Sequence, residues 1–419
     1  MKKYPYLNSV GIWPVDAFDR KFLYSPLAGI IAEADATEIA NYEHRLSSGE
    51  VSDDLLPLIV KWDTTGILYP DETSELTILI NQRCNFACRY CYSANGRSKA
   101  ELQEELFPVL VNWFVRKERL EVSGAEKLSV TFSGGGDPTL SMGKVRRIIE
   151  MVRSRAEVLN IPVTFGMVCN GSKIQTEDIY FIRAYIDNIV ISFDVIPEVH
   201  DLQRSNYQIV VETMRKLTDN GIRYGLRSTI TPLNVERMEE MIETLHRNFP
   251  QCTSIAAEVV FDPDMWKNET ELLAFYDRFA DGFIKARKLA DRYGISLGNT
   301  IEMSSDGLKT RACEGKVVVT PDGRLTACSR VATSGDRNYD DLLFGEVTED
   351  GVRYDRARYD AIMSVKADRF HECDGCFARY HCGGGCMLAR LSYSPVQMAL
   401  YCNLTRKLLK YKIFYELDR

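Results

Sequence analysis

The sequence predicts an α/β protein built on a partial (β/α)6 TIM-like barrel, with a winged-helix-like module before it and a cysteine-rich region after it. Three observations carry this prediction. Between about residues 76 and 295, short apolar runs alternate with amphipathic helical stretches six times. Most of those runs hold little or no charge, as strands buried on both faces do. Beyond about residue 295 the alternation stops, and cysteines and glycines dominate. The 419 residues, 45% of them hydrophobic, suffice for one large domain and one or two smaller ones.

Residues 1–75 read as a small separate unit. Apolar segments at Ile12–Val15 and Phe22–Ile31 are expected to pair as strands, and Ala36–Leu46 and Asp54–Lys61 to be helical. Short strands with a few helices fit a winged-helix-like module. Over residues 76–295, strands are expected at Leu76–Asn81, Leu128–Ser133, Val163–Val168, Ile189–Asp194, Tyr224–Ile230 and Ile255–Phe261. Amphipathic helices such as Val145–Leu159 and Val235–Phe249 lie between them. Right-handed crossovers bring every strand's C-terminal end to one rim, where chemistry is expected. Residues 296–419 are loop-rich until a helix from about Pro395. A region with so little core needs staples, and metal clusters can serve as such.

Charge and composition narrow the function. The formal net charge is −7 with no basic block, which disfavours a nucleic-acid partner because phosphate binding needs a positive face. No run of about 20 apolar residues is present, so no membrane partner is expected. The opening Met1-Lys2-Lys3-Tyr4-Pro5 lacks the apolar run and cleavage site of a secretory signal.

Twelve cysteines are the unusual feature. In a chain this long without a secretory signal, clustered cysteines more often bind metal or do redox chemistry than form disulfides. Cys84, Cys88 and Cys91 form one tight group; Cys313, Cys328, Cys373, Cys376, Cys382, Cys386 and Cys402 form another. Cys169 and Cys252 stand alone and read as buried packing residues.

The first group, Cys84-Asn85-Phe86-Ala87-Cys88-Arg89-Tyr90-Cys91-Tyr92, directly follows the first barrel strand and so sits on the reactive rim. Iron–sulfur clusters are held by cysteine thiolates, usually four. Three in one loop can hold three irons of a cubane and leave the fourth open, and an open metal position is where a substrate or cofactor binds. A zinc knuckle is the competing reading of the spacing. The CxxxCxxC pattern, with Tyr90 before the last cysteine, resembles the signature of the radical S-adenosylmethionine (radical SAM) superfamily. The resemblance implies that Cys84, Cys88 and Cys91 hold a 4Fe-4S cluster whose open iron is chelated by S-adenosylmethionine. One electron then breaks a sulfonium C–S bond to give a 5′-deoxyadenosyl radical. It also places Tyr90 near the adenine.

Further matches fall at successive strand ends. Ser133-Gly134-Gly135-Gly136-Asp137 closes the second strand, where glycines let backbone approach a ligand. The family usually has Gly-Gly-Glu there, contacting the methionyl amino group; this chain has Asp137, one methylene shorter. The resemblance therefore assigns Gly135, Gly136 and Asp137 to the cofactor. Cys169-Asn170-Gly171 resembles the family's Asn-Gly turn and adds Asn170. The stretch Ile191-Ser192-Phe193-Asp194, followed by His200, Asp201 and Arg204, resembles the segment after the fourth strand. By that likeness Ser192 touches the ribose and Arg204 the methionyl carboxylate. His200 is read as structural and Arg227 as a weaker ligand candidate. Glu258 and Asp262, at the sixth strand's rim end, are candidate general bases.

In the second group, Cys313 is followed by Gly323 and Cys328, then by Cys373-x2-Cys376-x5-Cys382-x3-Cys386, and finally Cys402. Val317–Thr326, with Pro321-Asp322-Gly323 at its turn, reads as a hairpin that brings Cys313 and Cys328 together. The whole pattern resembles the SPASM domain of peptide-modifying radical SAM enzymes. That likeness implies two auxiliary 4Fe-4S clusters and so three in all. The far one would take Cys373, Cys376, Cys382 and Cys402, and the near one Cys313, Cys328 and Cys386. Several relatives supply the near cluster's fourth ligand from a further cysteine close to the first, but Ser304–Lys309 contains none. The near cluster then has either an open iron or an oxygen ligand such as Asp306. An open iron could bind a substrate thiolate, so a cysteine in the substrate is expected.

The resemblance spans roughly residues 75–405 and points to radical chemistry on a peptide or protein. The first reading is a maturase of ribosomally made peptides, forming a thioether or carbon–carbon cross-link, with residues 1–75 gripping the precursor's leader segment. The second is an anaerobic sulfatase maturase, which makes formylglycine. Sulfatase maturases begin close to the first cysteine motif and carry an aspartate directly after the second hairpin cysteine; here about 80 residues precede the motif, and Ser329 and Arg330 follow Cys328. The third reading is a non-catalytic peptide-binding adaptor. A reductant such as flavodoxin or ferredoxin and a cytoplasmic location are the expected setting.

Overall fold

The computed structural model describes residues 4–60, 66–313 and 315–415. At the start of the chain an antiparallel meander of β1 (Trp13–Ala17), β2 (Arg20–Ser25) and β3 (Ile30–Glu33) packs with the helix Ala36–Ser47. The single expected strand Phe22–Ile31 is two strands, because Pro26 and Gly29 (φ +68°) turn the chain between them. The helix expected at Asp54–Lys61 is a 3-10 turn, Asp53–Leu58, with Pro57 inside it removing a donor; Lys61 lies outside the described residues.

β2 is buried on both faces. Leu23 joins Leu7, Ile12, Ile39 and Leu55 under the helix. Phe22 and Tyr24 join Trp13 and Val15 against Phe414, Phe377 and Tyr380. The meander is therefore clamped onto the C-terminal helix Pro395–Phe414, whose start is capped by Ser394 and Gln397.

The central sheet follows the expected order. β4 (Glu75–Ile78), β5 (Leu128–Phe132), β6 (Val163–Cys169), β7 (Asn188–Ser192), β8 (Gly225–Ile230) and β9 (Ser254–Val259) are parallel, each beside its predecessor. The helix Met142–Leu159 shows why these layers form: Val145, Ile148, Ile149, Val152 and Ala156 make one buried stripe at helical spacing. It stops at Asn160, which adopts the left-handed conformation.

Two features go beyond the expected six units. β10 (Ser296–Gly298) pairs in parallel with β9 after the long helix Glu269–Arg292, and its three residues are too few to show a period in sequence. On the other side, β4 does not close onto β10. It pairs in parallel with β11 (Val318–Val319), and the sheet continues through β12 (Arg324–Thr326), β13 (Leu343–Thr348) and β14 (Gly351–Tyr354). The Pro321-Asp322-Gly323 hairpin is thus part of the barrel sheet, and after it Ser329 and Arg330 reach the rim beside the glycine loop that follows β5. Among the described residues no helix is long and apolar enough to cross a membrane.

Candidate active site

β4 ends at Ile78, short of the expected Asn81, because the next backbone groups bond elsewhere. Leu79 N donates to Val319 O at 2.9 Å, and Asn81 O accepts Gly136 N at 2.8 Å. Asn81 Nδ2 donates to Asp137 O at 2.9 Å and to Ser141 Oγ at 2.8 Å. Asp137 N donates to Arg83 O at 2.7 Å. The glycine loop after β5 is thereby stitched to the segment entering Cys84. A side chain at Gly136 would overlap Arg83 O and Asn81 Oδ1, and one at Gly134 (φ +103°) would meet Ser329 O. Gly135 (φ +65°) faces Asn81 O in the same way. The close approach these glycines permit is between segments of this chain.

Cys84, Cys88 and Cys91 are free, half-buried thiols that line one cavity. Asn170 Nδ2 reaches Cys84 Sγ at 3.7 Å, and Arg97 Nη2 reaches Cys91 Sγ at 3.2 Å. Burial pushes the Cys88 thiol up, and the Arg204 guanidinium opposes it. A cation and an amide donor beside the sulfurs favour thiolate, the form that ligates iron. Three thiols on one cavity with such donors fit a cluster with one open iron. Arg97 was not foreseen, because its position six residues past Cys91 belongs to no recognisable pattern.

The other predicted cofactor residues converge on the same cavity. Arg204 Nη1 donates to Tyr90 Oη at 2.6 Å, and Tyr90 donates to Asp194 Oδ2 at 2.7 Å. Asp194 also accepts from Gln203 Nε2 at 3.1 Å and Thr229 N at 3.0 Å. Burial pushes its carboxyl up, while Arg204 pulls it down. Asp137 is similarly raised by burial, with Thr139 N at 2.9 Å and Asn170 N at 2.6 Å on its two oxygens. Arg204 Nε is buried without a partner among the described residues. Ser192 and Asn170 line the cavity beside them.

The secondary candidates separate. His200 is fully buried: Asp194 N donates to its Nδ1 at 3.2 Å and its Nε2 bonds Ser205 O at 3.1 Å, a structural placement. Arg227 and Glu258 pair at 3.5 Å on the cavity wall, and Glu258 also accepts from Thr300 Oγ1 at 2.7 Å. Asp262 instead accepts Asp264 N at 2.9 Å. Cys169 and Cys252 are buried.

The C-terminal thiols fall into two neighbourhoods. Cys313 feels Cys386 and Cys328 most strongly after burial, which pushes it up to about 12. Cys382, also pushed up to about 12 by burial, feels Cys402, Cys376 and Cys373. Asp306 is exposed at the end of the turn Glu302–Asp306, and the cations that act on Cys313 are Lys316 and Lys309. Among the described residues no group of three or more His, Cys, Asp or Glu converges on a single-ion site. A cluster asks for something different, since each thiolate takes its own iron and the sulfurs surround a volume.

Residues 78–247 match the family model described as the Radical SAM superfamily. That stretch is a radical SAM domain. The match runs from the end of β4 into the helix Met238–Asn248 and contains the three-cysteine loop, Asp137, Asn170, Ser192 and Arg204. The chain is 19% identical over 336 residues to the radical SAM cyclopropyl synthase TigE of Paramaledivibacter caminithermalis, a match covering 76% of this chain and 68% of that protein. Its fold is similar to that of anSMEcpe with bound AdoMet and Cp18Cys peptide, at a TM-score of 0.65 and 16% identity over 82% of this chain and 97% of that one. It is also similar to Streptococcus suis SuiB bound to precursor peptide SuiA, at 0.54 and 12% identity over 92% and 98%. A radical SAM enzyme uses a 4Fe-4S cluster and S-adenosylmethionine, and the adaptor reading falls away.

Proposed function

We propose that this radical SAM enzyme is a peptide maturase that installs a cross-link, thioether or carbon–carbon, in a ribosomally made precursor peptide. One observation carries the reading. A single cavity is walled by Cys84, Cys88 and Cys91 on one side and by Ser329 and Arg330, directly after Cys328, on another. A residue held there is bordered both by the three-cysteine loop and by the segment that directly follows Cys328.

When bound, the first cluster and S-adenosylmethionine supply a 5′-deoxyadenosyl radical that takes a hydrogen atom from the substrate. The chain supplies binding and orientation. Cys84, Cys88 and Cys91 hold that cluster; Tyr90, Gly135, Gly136, Asp137, Asn170, Ser192 and Arg204 border S-adenosylmethionine. Cys313, Cys328 and Cys386 hold a near auxiliary cluster, and Cys373, Cys376, Cys382 and Cys402 a far one, for three in total. When bound there, such clusters would accept the electron released as the cross-link closes. Among the described residues no strand pairs with the outer edge of β3, which can take a leader segment as an added strand. Flavodoxin or ferredoxin would deliver the electron, in the cytoplasm, where oxygen is scarce and thiols stay reduced. Against the sulfatase-maturase reading, the residues after Cys328 that reach the cavity are Ser329 and Arg330, neither of them a carboxylate base.

The test is anaerobic reconstitution followed by reduction with S-adenosylmethionine and a precursor peptide encoded nearby. The reading expects about twelve irons for three cubanes, 5′-deoxyadenosine, and a peptide lighter by two hydrogens. A Cys→Ser peptide should stay unmodified if the link is a thioether. Formylglycine on a sulfatase-type peptide would sink the proposal.

A further inference from the structure

Four arginines line the cavity, and three of them have partners. Arg97 donates to Cys91 Sγ and Phe86 O, Arg204 to Tyr90 Oη, and Arg227 pairs with Glu258. Arg330 is different. Its guanidinium lies 5.6 Å from the Tyr92 ring centroid and 5.1 Å from that of Phe261, and among the described residues no hydrogen bond or ion pair engages its side chain. The groups near it that can carry negative charge are the Cys386 and Cys328 thiols and the Tyr92 and Tyr401 hydroxyls. No carboxylate of the cavity is available to it. Asp137 is held by Thr139 and Asn170, and Glu258 by Thr300 and Arg227.

Half-buried on the cavity wall against two aromatic faces, the guanidinium has its N–H fork free of side-chain partners and open to a ligand in the cavity. A guanidinium answers a carboxylate with two parallel hydrogen bonds. We propose that Arg330 anchors a carboxylate of the substrate peptide, either an acidic side chain beside the modified residue or the peptide's C-terminus. The proposal rests on the peptide-maturase reading for the nature of the substrate. Geometry supports the assignment: Ser329 O packs against Gly134 of the glycine loop, so the Cys328–Arg330 segment is fixed relative to the cysteine loop. A peptide carboxylate on Arg330 would set the register of the chain across the cavity.

The probes are three blocked peptides: Ac-Gly-Glu-Gly-NH2, Ac-Gly-Gln-Gly-OH and Ac-Gly-Gln-Gly-NH2. Their binding to the reconstituted enzyme with S-adenosylmethionine is read by saturation-transfer NMR. The proposal expects one of the two acids to bind about tenfold tighter than the neutral peptide, the size of one charge-assisted pair in a partly wet site. Which acid wins distinguishes side chain from terminus. Arg330→Gln should erase the preference and Arg330→Lys retain part of it. Both variants should still form 5′-deoxyadenosine from S-adenosylmethionine on reduction. Equal binding of all three peptides to the wild type would overturn the proposal. So would a preference that survives Arg330→Gln, or a variant that loses S-adenosylmethionine itself. If the wild type cleaves no S-adenosylmethionine, the functional reading fails, while the binding preference is still read on its own terms.

Discussion

The Tyr24 hydroxyl meets His381 Nε2 at 2.5 Å, joining the N-terminal sheet to the segment just before Cys382. His381 Nδ1 faces Gly307 O at 3.2 Å, so that nitrogen carries the hydrogen and Nε2 accepts from Tyr24. Trp13 reinforces the contact, edge-on to Tyr380 at 5.7 Å. Tyr24→Phe leaves a buried acceptor unanswered, which costs about 1–3 kcal/mol. The loss should be local. Hydrogen exchange in β1 and β2 should accelerate about tenfold or more, with β5–β7 unchanged. Unchanged exchange in β1 and β2 would mean the sheet is held by its apolar face alone.

Gly136→Ala should disrupt the rim without touching a thiol. The added methyl overlaps both the backbone of Arg83 and the Asn81 side chain, neither of which is a flexible chain end. Forcing such an overlap typically costs about 1–3 kcal/mol. The glycine loop would have to leave the segment that presents Cys84. Lower melting temperature with reduced iron at the first site alone is the expected result, measured by iron counting in a background that lacks the C-terminal cysteines. Full iron occupancy would show that the loop is not what orders Cys84.

The barrel strands were legible because each is a short, nearly charge-free run between amphipathic helices, and the cysteine loop because its spacing is dense and local. What escaped was set by distance in sequence. Nothing near residues 22–31 marked a break except Pro26 and Gly29, which also occur in longer loops. β10 is too short to show alternation. The pairing of β11 with β4 joins residues some 240 apart, as Val318 opposite Thr77 illustrates, and no local pattern reports it. The same holds for Arg97, whose meaning comes from where the loop folds back onto Cys91. For Tyr90, motif position suggested an adenine neighbour; the structure adds hydrogen bonds to Arg204 and Asp194 that no spacing rule contains.

Arg97→Gln should make the first cluster harder to reduce. The guanidinium sits 3.2 Å from Cys91 Sγ, and hydrogen bonds and positive charge at a ligand sulfur stabilise the more negative reduced state. Losing about 1.4 kcal/mol of that difference corresponds to about −60 mV for a one-electron couple. Redox titration followed by electron paramagnetic resonance reads it directly, with iron content checked to be equal. A potential unchanged from wild type would assign Arg97 to holding Phe86 O, its second contact, instead.

His200 sets a pH dependence whose sign can be worked out. The ring is packed against Phe193 at 4.9 Å and Tyr207 at 5.6 Å, and Asp194 N requires a lone pair on Nδ1, so the native site admits only the neutral form. Burial lowers its pKa from the ordinary 6.5 to about 3. In the unfolded chain it titrates near 6.5, so as pH falls the unfolded state binds the proton first. The group's contribution to stability is intact above about pH 6.5 and is lost toward pH 3, at up to about 1.4 kcal/mol per pH unit. Melting temperature should therefore drop between pH 7.5 and 5 more steeply in the wild type than in His200→Gln, which starts lower but has no proton to take up there. Parallel slopes in the two proteins would place the titration elsewhere and leave His200 as packing alone.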